Sequence, residues 1–281
     1  MTTGQRKRRL RAHFGFSKIP FSKYAWAKHM FDSSSQRELL DGLLLWSDLG
    51  GIALVTGPSG VGKSITLRKF VQSLDDSRIR VFDFSYLPTT IMGFLRSLNR
   101  TLGLAMRHHA ADLFDQAQKF LMSYKKEQGP HPLLLIDDAE GLSANVLDLL
   151  RRLTCYELDA EDRFSLLLTG TDQILPTLHH PSLTPLCSRI SYAHTLRPFA
   201  FEDTKNYIRY HLERADADAK LFSETAVRHT FQASIGTPRN INQLATQALI
   251  DATVFGRDKI DGDFMAKCIA EHPLYQGHAG K

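Results

Sequence analysis

The stretch Gly57-Pro58-Ser59-Gly60-Val61-Gly62-Lys63-Ser64 fits G-x-x-x-x-G-K-[ST], the spacing with which a glycine-rich loop wraps phosphates in backbone N–H groups. In that arrangement Lys63 reaches the β- and γ-phosphates of a nucleotide and the Ser64 hydroxyl ligates Mg²⁺. A second group of candidates follows Leu133-Leu134-Leu135-Ile136, a continuous apolar run that ends in Asp137-Asp138-Ala139-Glu140. A carboxylate at the C-terminal end of a buried parallel strand faces the crevice above the phosphates, which places Asp137 to hold Mg²⁺ through water.

Hydrolysis also needs a group within hydrogen-bond reach of the attacking water. ATPases of this kind often carry Glu directly after the Mg²⁺-holding Asp; here Asp138 stands there, one methylene shorter, with Glu140 nearby. Either Asp138 works with altered reach, or Glu140 takes over, or turnover is slow. The expectation is a slow ATPase in which Asp138→Glu raises turnover. Gly170-Thr171-Asp172 closes another apolar run, and Thr171, in preference to Thr169, is expected to contact the γ-phosphate or its water unless it only caps a helix. Arg189 in Ser188-Arg189-Ile190 and Arg239 in Gly236-Thr237-Pro238-Arg239-Asn240 stand where loops meet ordered elements. The planar guanidinium fork suits a triphosphate, although a surface salt bridge is its more ordinary use.

The flanking patterns supply what must hold these groups. Ile52-Ala53-Leu54-Val55-Thr56 reads as a buried parallel strand, and Ile65, Leu67, Phe70, Val71 and Leu74 recur at helical spacing after the loop. Residues 78–84, 133–136 and 164–169 read as further strands, with helices over 89–102 and 112–126 and after Glu140. Strands alternating with helices in this way predict a parallel α/β sheet. Ser35 with Glu38 reads as a capping box opening a helix that Gly50-Gly51 ends. Past Arg197-Pro198 the pattern is helical only, over 202–214, 223–233, 238–255 and 262–270.

Length and composition are those of a globular protein: 281 residues, 43% hydrophobic and 23% charged. No apolar run approaches the ~20 residues of a membrane span, and the Arg-rich start lacks the apolar core of a secretory signal. Cys155, Cys187 and Cys268 have no metal or disulfide spacing and read as buried thiols in a reducing cytoplasm. The doublets His108-His109 and His179-His180 read as surface or loop residues. Arg6, Lys7, Arg8, Arg9 and Arg11 together equal the net charge of +5. Such a basic arm either touches nucleic acid or is a solvated tail.

On these residues, the chain from Phe14 to about Phe264 resembles the AAA+ ATPases of the ExeA/TnsC-like group. Phe14-Gly15 and Pro20-Phe21 match the aromatic segment that precedes that group's phosphate loop. The apolar run to Asp137 matches Walker B, Ser188-Arg189-Ile190 is followed by Leu196-Arg197-Pro198, and Gly236, Pro238, Arg239, Ile241 and Asn242 match the lid signature. The resemblance implies an α/β P-loop NTPase (AAA+) fold, a parallel sheet flanked by helices with a small all-helical C-terminal lid. The expected division is a basic arm over 1–13, the nucleotide-binding domain over 14–198 and the lid over 199–281.

It also implies ATP and Mg²⁺ as cofactors, Thr171 as sensor 1, Arg239 as sensor 2, and Arg189 as an arginine finger reaching a neighbouring subunit. Two kinds of protein share these features. TnsC-like members, similar in role to Mu B and IstB, assemble as homo-oligomeric rings or filaments on double-stranded DNA. They recruit or activate a transposase, in some cases under a target-selector protein. ExeA-like members serve secretion or envelope assembly, act on protein partners, and carry a membrane segment and a cell-wall-binding region after the ATPase core. The basic arm, and a chain that stops soon after the lid signature, favour the first: a cytoplasmic regulator of DNA transposition with no membrane partner.

Overall fold

The structure is a computed structural model that describes residues 3–21, 31–84, 88–154 and 163–275. Five strands form one all-parallel sheet: β1 (Ile52–Thr56), β2 (Ile79–Asp83), β3 (His131–Ile136), β4 (Ser165–Thr169) and β5 (Ile190–Thr195), in the order β2-β3-β4-β1-β5. Strands β1 and β4 are buried at every position, as continuous runs of Ile, Leu, Val and Ala require when helices cover both faces. Helices α2 (Ser34–Leu49), α3 (Lys63–Ser73), α4 (Ile91–Thr101), α5 (Ala110–Gln128) and α6 (Ala144–Thr154) alternate with the strands, and short helices α7 (Ile174–Leu178) and α8 (Thr184–Cys187) precede β5. Their apolar stripes, such as Phe94, Leu95 and Leu98 of α4 and Leu113, Ala117 and Leu121 of α5, close one core with the sheet.

Strand β5 was not legible beforehand. Its sequence ISYAHT alternates, and its burial alternates with it, because it is an edge strand with a neighbour on one side only. Helix α2 begins one residue before the expected cap. Ser35 therefore lies in its first turn, where its hydroxyl accepts from the Arg197 backbone N–H at 3.3 Å.

The described residues divide into two compact units, each with its own core. The α/β unit comprises residues 36–59 and 63–196. The helical unit comprises the described residues up to Ser35, Gly60–Gly62, and those from Arg197 on. Helices α9 (Phe201–Glu213), α10 (Glu224–Ser234), α11 (Pro238–Phe255) and α12 (Gly262–Glu271) build the latter around Tyr207, Leu212, Ile241, Leu244, Leu249 and Met265.

The N-terminal segment differs from the expected arm. Residues Thr3–Phe14 form a helix, α1, that is grouped with the helical unit, and Phe16 and Phe21 are buried in that unit's core. The physical reason lies in Leu10 and Phe14, one turn apart on α1 and packed against that core. A second tie is the hydrogen bond between the His13 ring and the Arg257 carbonyl, at 2.8 Å. Both histidine doublets are exposed, Cys268 is buried and Cys187 half-buried, while Cys155 lies outside the described residues. Among the described residues no helix is long and apolar enough to cross a membrane.

Candidate functional site

The strand order explains how distant residues converge. Strand β4 lies between β1, which feeds the phosphate loop, and β3, which Asp137 directly follows. The C-terminal ends of these three strands therefore collect the loop, Asp137 and Thr169 on one edge, where ligands bind in open α/β sheets. Ser64, at the start of α3, donates its hydroxyl to Asp137 Oδ2 at 2.7 Å. Asp137 Oδ1 accepts from the Asp138 backbone N–H at 3.0 Å and from the Thr169 hydroxyl at 2.5 Å. Three donors thus fix one carboxylate.

A hydroxyl beside a carboxylate is an all-oxygen set that suits a hard cation such as Mg²⁺. Among the described residues no group of three or more His, Cys, Asp or Glu could hold a metal unaided. Mg²⁺ bound through one or two protein oxygens plus substrate phosphates has no need of one. When bound, this ion would neutralise charge developing on phosphate oxygens, with Ser64 and Asp137 as its protein ligands.

Lys63 is 6% exposed, and its ammonium donates to the carbonyls of Gly57 at 2.8 Å and Pro58 at 3.2 Å. Burial pushes its pKa below the ordinary 10.5, and the surrounding carboxylates oppose that shift, Glu140 most and then Asp137, Asp138 and Asp172.

The two carboxylates after Asp137 differ. Asp138 is exposed and takes a left-handed backbone conformation, with φ 56° and ψ 38°. Glu140 lies in the 3-10 turn Ala139–Gly141, and its Oε2 is buried without a hydrogen-bond partner. Gly170 approaches that oxygen so closely that a Cβ there would sit 2.5 Å from it. Thr171, the next residue, also has its hydroxyl oxygen buried without a partner.

Sequence reasoning passed over Thr169 as an Asp137 ligand, because β4's position between β1 and β3 is not written in the chain. It also passed over Asp83, the last residue of β2, whose pKa is raised by burial and by the nearby Asp137 charge. The signal was available, since Asp83 ends one strand and Asp137 directly follows another. Arg189 immediately precedes β5, with its backbone N–H on the Leu186 carbonyl at 3.0 Å.

In the helical unit, Arg239 lies in the first turn of α11, behind Pro238 at the position where a missing N–H costs nothing. Its backbone N–H donates to the Gly60 carbonyl at 3.3 Å, and a Cβ on Gly60 would fall 2.6 Å from Arg239 Cβ. Gly60, with φ +80°, is the loop residue where both backbone angle and closeness demand glycine. The other lid-signature residues have packing roles. Gly236, with φ +65°, leaves no room for a Cβ beside the Phe199 carbonyl; Ile241 is buried; Asn242 accepts from the Tyr207 hydroxyl at 3.1 Å.

Of the basic residues in α1, Lys7, Arg8, Arg9 and Arg11 are exposed, and Arg6 belongs to the same helix. Arg11 also donates to the Phe16 carbonyl at 3.1 Å, so part of its guanidinium holds the turn that ends α1.

Comparison with known proteins agrees with this geometry. A family model described as an AAA domain matches residues 47–178. General secretion pathway protein A of Aeromonas hydrophila is 29% identical over 255 residues, 88% of this chain, and the chain spans 45% of that relative's length. Among solved structures, Cdc6p of Pyrobaculum aerophilum superposes with a TM-score of 0.62 at 20% identity, over 89% of this chain and 70% of that one. The Aeropyrum pernix ORC2 protein gives 0.65 at 14% identity, over 89% and 71%. Drosophila ORC, in a structure bound to DNA, gives 0.59 at 14% identity, over 95% and 65%. At these identities the structural likenesses establish the fold alone, an α/β domain built on a parallel sheet with a helical C-terminal region. Fold and domain match together support ATPase activity in general.

Proposed function

Starting from that AAA domain match, we propose that the chain is a Mg²⁺-dependent ATPase whose nucleotide state governs its association with other macromolecules. The observation that carries this reading is the Lys63, Ser64 and Asp137 cluster: a buried ammonium beside a hydroxyl–carboxylate pair 2.7 Å apart. Gly57, Pro58, Ser59, Gly60, Val61 and Gly62 supply the backbone around the phosphates, and Arg239 a second cation. Arg189 reaches the nucleotide of a neighbouring copy, so that ATP favours a homo-oligomer. The test is Lys63→Ala, examined by nucleotide titration and by phosphate release. The reading predicts at least a hundredfold loss of ATP affinity in a protein that melts normally; wild-type affinity in that variant refutes it.

The relative's name directs the partner question to proteins: the chain would drive a secretion or envelope-assembly step, as its similarity to general secretion pathway protein A suggests. A second reading has its own support. Helix α1 carries five cations and no acid, and Lys7, Arg8, Arg9 and Arg11 are exposed, a concentration of charge suited to phosphates. That Drosophila ORC, a neighbour of similar fold, was solved bound to DNA supports this reading. On this reading the oligomer grips double-stranded DNA and recruits a transposase, with a target selector upstream. Electron microscopy with duplex DNA and a non-hydrolysable ATP analogue separates the two. Rings or filaments on DNA, lost in a Lys7, Arg8 and Arg9→Glu variant, support the DNA reading; no association with DNA leaves the protein-partner reading.

A further inference from the structure

Two buried polar atoms of the α/β unit have no hydrogen-bond partner in the site just described, and they flank the same residue. Glu140 Oε2 faces the space where Gly170 lacks a side chain, and Thr171 Oγ1 belongs to the residue after Gly170. A buried carboxylate oxygen left unsatisfied is costly, so such atoms ordinarily have a ligand or a bound water. Lys63 does not fill this role with its known bonds, which go to the carbonyls of Gly57 and Pro58. Glu140 is nevertheless the carboxylate that acts most strongly on the Lys63 ammonium, ahead of Asp137. Geometry places it beside the strand that feeds the phosphate loop: Gly170, which that carboxylate faces, donates its backbone N–H to the Val55 carbonyl of β1 at 3.0 Å. Asp138, in contrast, is exposed on a left-handed turn, and its backbone N–H is spent on Asp137 Oδ1.

We propose that Glu140, and not Asp138, holds and deprotonates the water that attacks the terminal phosphate, with the Thr171 hydroxyl as that water's second anchor. This rests on the ATPase reading above and assigns its base. In the step, the water oxygen forms a bond to the γ-phosphorus while the bond from that phosphorus to the β–γ bridging oxygen breaks. The water proton passes to the Glu140 carboxylate, its electron pair staying on the attacking oxygen, and ADP leaves with the bridging oxygen's pair. The protein has moved the base two positions along the chain from its usual place. The 3-10 turn Ala139–Gly141 folds Glu140 back towards Gly170, and the absence of a side chain at Gly170 makes room for the carboxylate.

The position of Gly170 supplies an unusually clean test. Gly170→Ala would place a methyl 2.5 Å from Glu140 Oε2, the far end of a flexible side chain, and leave every charge in the protein unchanged. The carboxylate must shift, at little cost to folding. Wild type, Glu140→Gln, Gly170→Ala and Asp138→Asn are compared by phosphate release, by fluorescent-ATP affinity and by thermal melting. Glu140→Gln is expected to lose at least a hundredfold in turnover, the range for a positioned base, with ATP affinity within threefold of wild type and bound ATP retained intact. Gly170→Ala should lose about tenfold with the same affinity, and Asp138→Asn less than tenfold. A Glu140→Gln variant within fivefold of wild-type turnover, or an Asp138→Asn loss that exceeds it, overturns the assignment. Wild type that binds ATP without hydrolysing it also overturns it, whereas wild type that binds no ATP overturns the ATPase reading itself.

Discussion

Replacing Thr169 with valine removes one hydrogen bond and almost no volume. The Thr169 side chain is fully buried at the end of β4, and its hydroxyl donates to Asp137 Oδ1. A hydrogen bond to a charged group contributes about 1.5–3 kcal/mol. Asp137 is half-buried and keeps the Ser64 hydroxyl and the Asp138 N–H as donors, so water and these neighbours recover much of it. A loss of about 1 kcal/mol remains, which lowers Tm by about 2 °C in a chain of this size. Function should suffer more, because the carboxylate loses a group that fixes its orientation. Groups that orient a metal ligand are worth about ten- to a hundredfold in metal affinity. The assay is calorimetric titration of ATP with and without Mg²⁺. Thr169→Val should weaken Mg²⁺–ATP binding by about that factor and change metal-free binding less than twofold. Equal losses in both arms, or none in a normally melting variant, would refute the claim that Thr169 acts through Asp137.

Gly60→Ala combines a left-handed angle with a methyl 2.6 Å from Arg239 Cβ. The backbone term alone is about 1–2 kcal/mol, and fluorescent-ATP affinity should fall at least tenfold. His211 is buried against Tyr207 and Phe21, and burial, with Arg214 adding repulsion, lowers its pKa to about 4. Because the folded-state pKa lies below the unfolded ~6.5, the unfolded chain takes up the proton first. The stability conferred by the neutral ring is complete above about pH 6.5 and is lost as pH falls to about 4, by roughly 2–3 kcal/mol. His131, lowered to about 4 chiefly by burial, adds a loss of the same sign in the α/β unit. Urea melts of His211→Phe between pH 7 and 4.5 should show a flatter decline than wild type; an equal slope would contradict the account.

The chemistry-bearing residues were legible because their meaning is local. Gly57 to Ser64 form a loop whose glycine spacing and flanking strand and helix are contiguous, and Asp137 follows a run too apolar to be anything but a buried strand. The helices after Arg197 were legible for the same reason, α11 over Pro238–Phe255 being bounded by proline and glycine signals. Strand β5 was not, since an edge strand alternates and resembles a loop. The folding of α1 onto the helical core was not, since Leu10 and Phe14 show a stripe but not what it packs against.

The sequence alone therefore determined where a glycine-rich loop after a buried strand and a carboxylate after another buried strand stand, because each depends on a few consecutive residues. Tertiary structure decided which groups serve them. Thr169 meets Asp137 only because β4 lies between β1 and β3, and Glu140 meets Gly170 only because a 3-10 turn folds back from β3. Such partners are set by strand order and by the absence of a single Cβ, which are properties of packing in three dimensions.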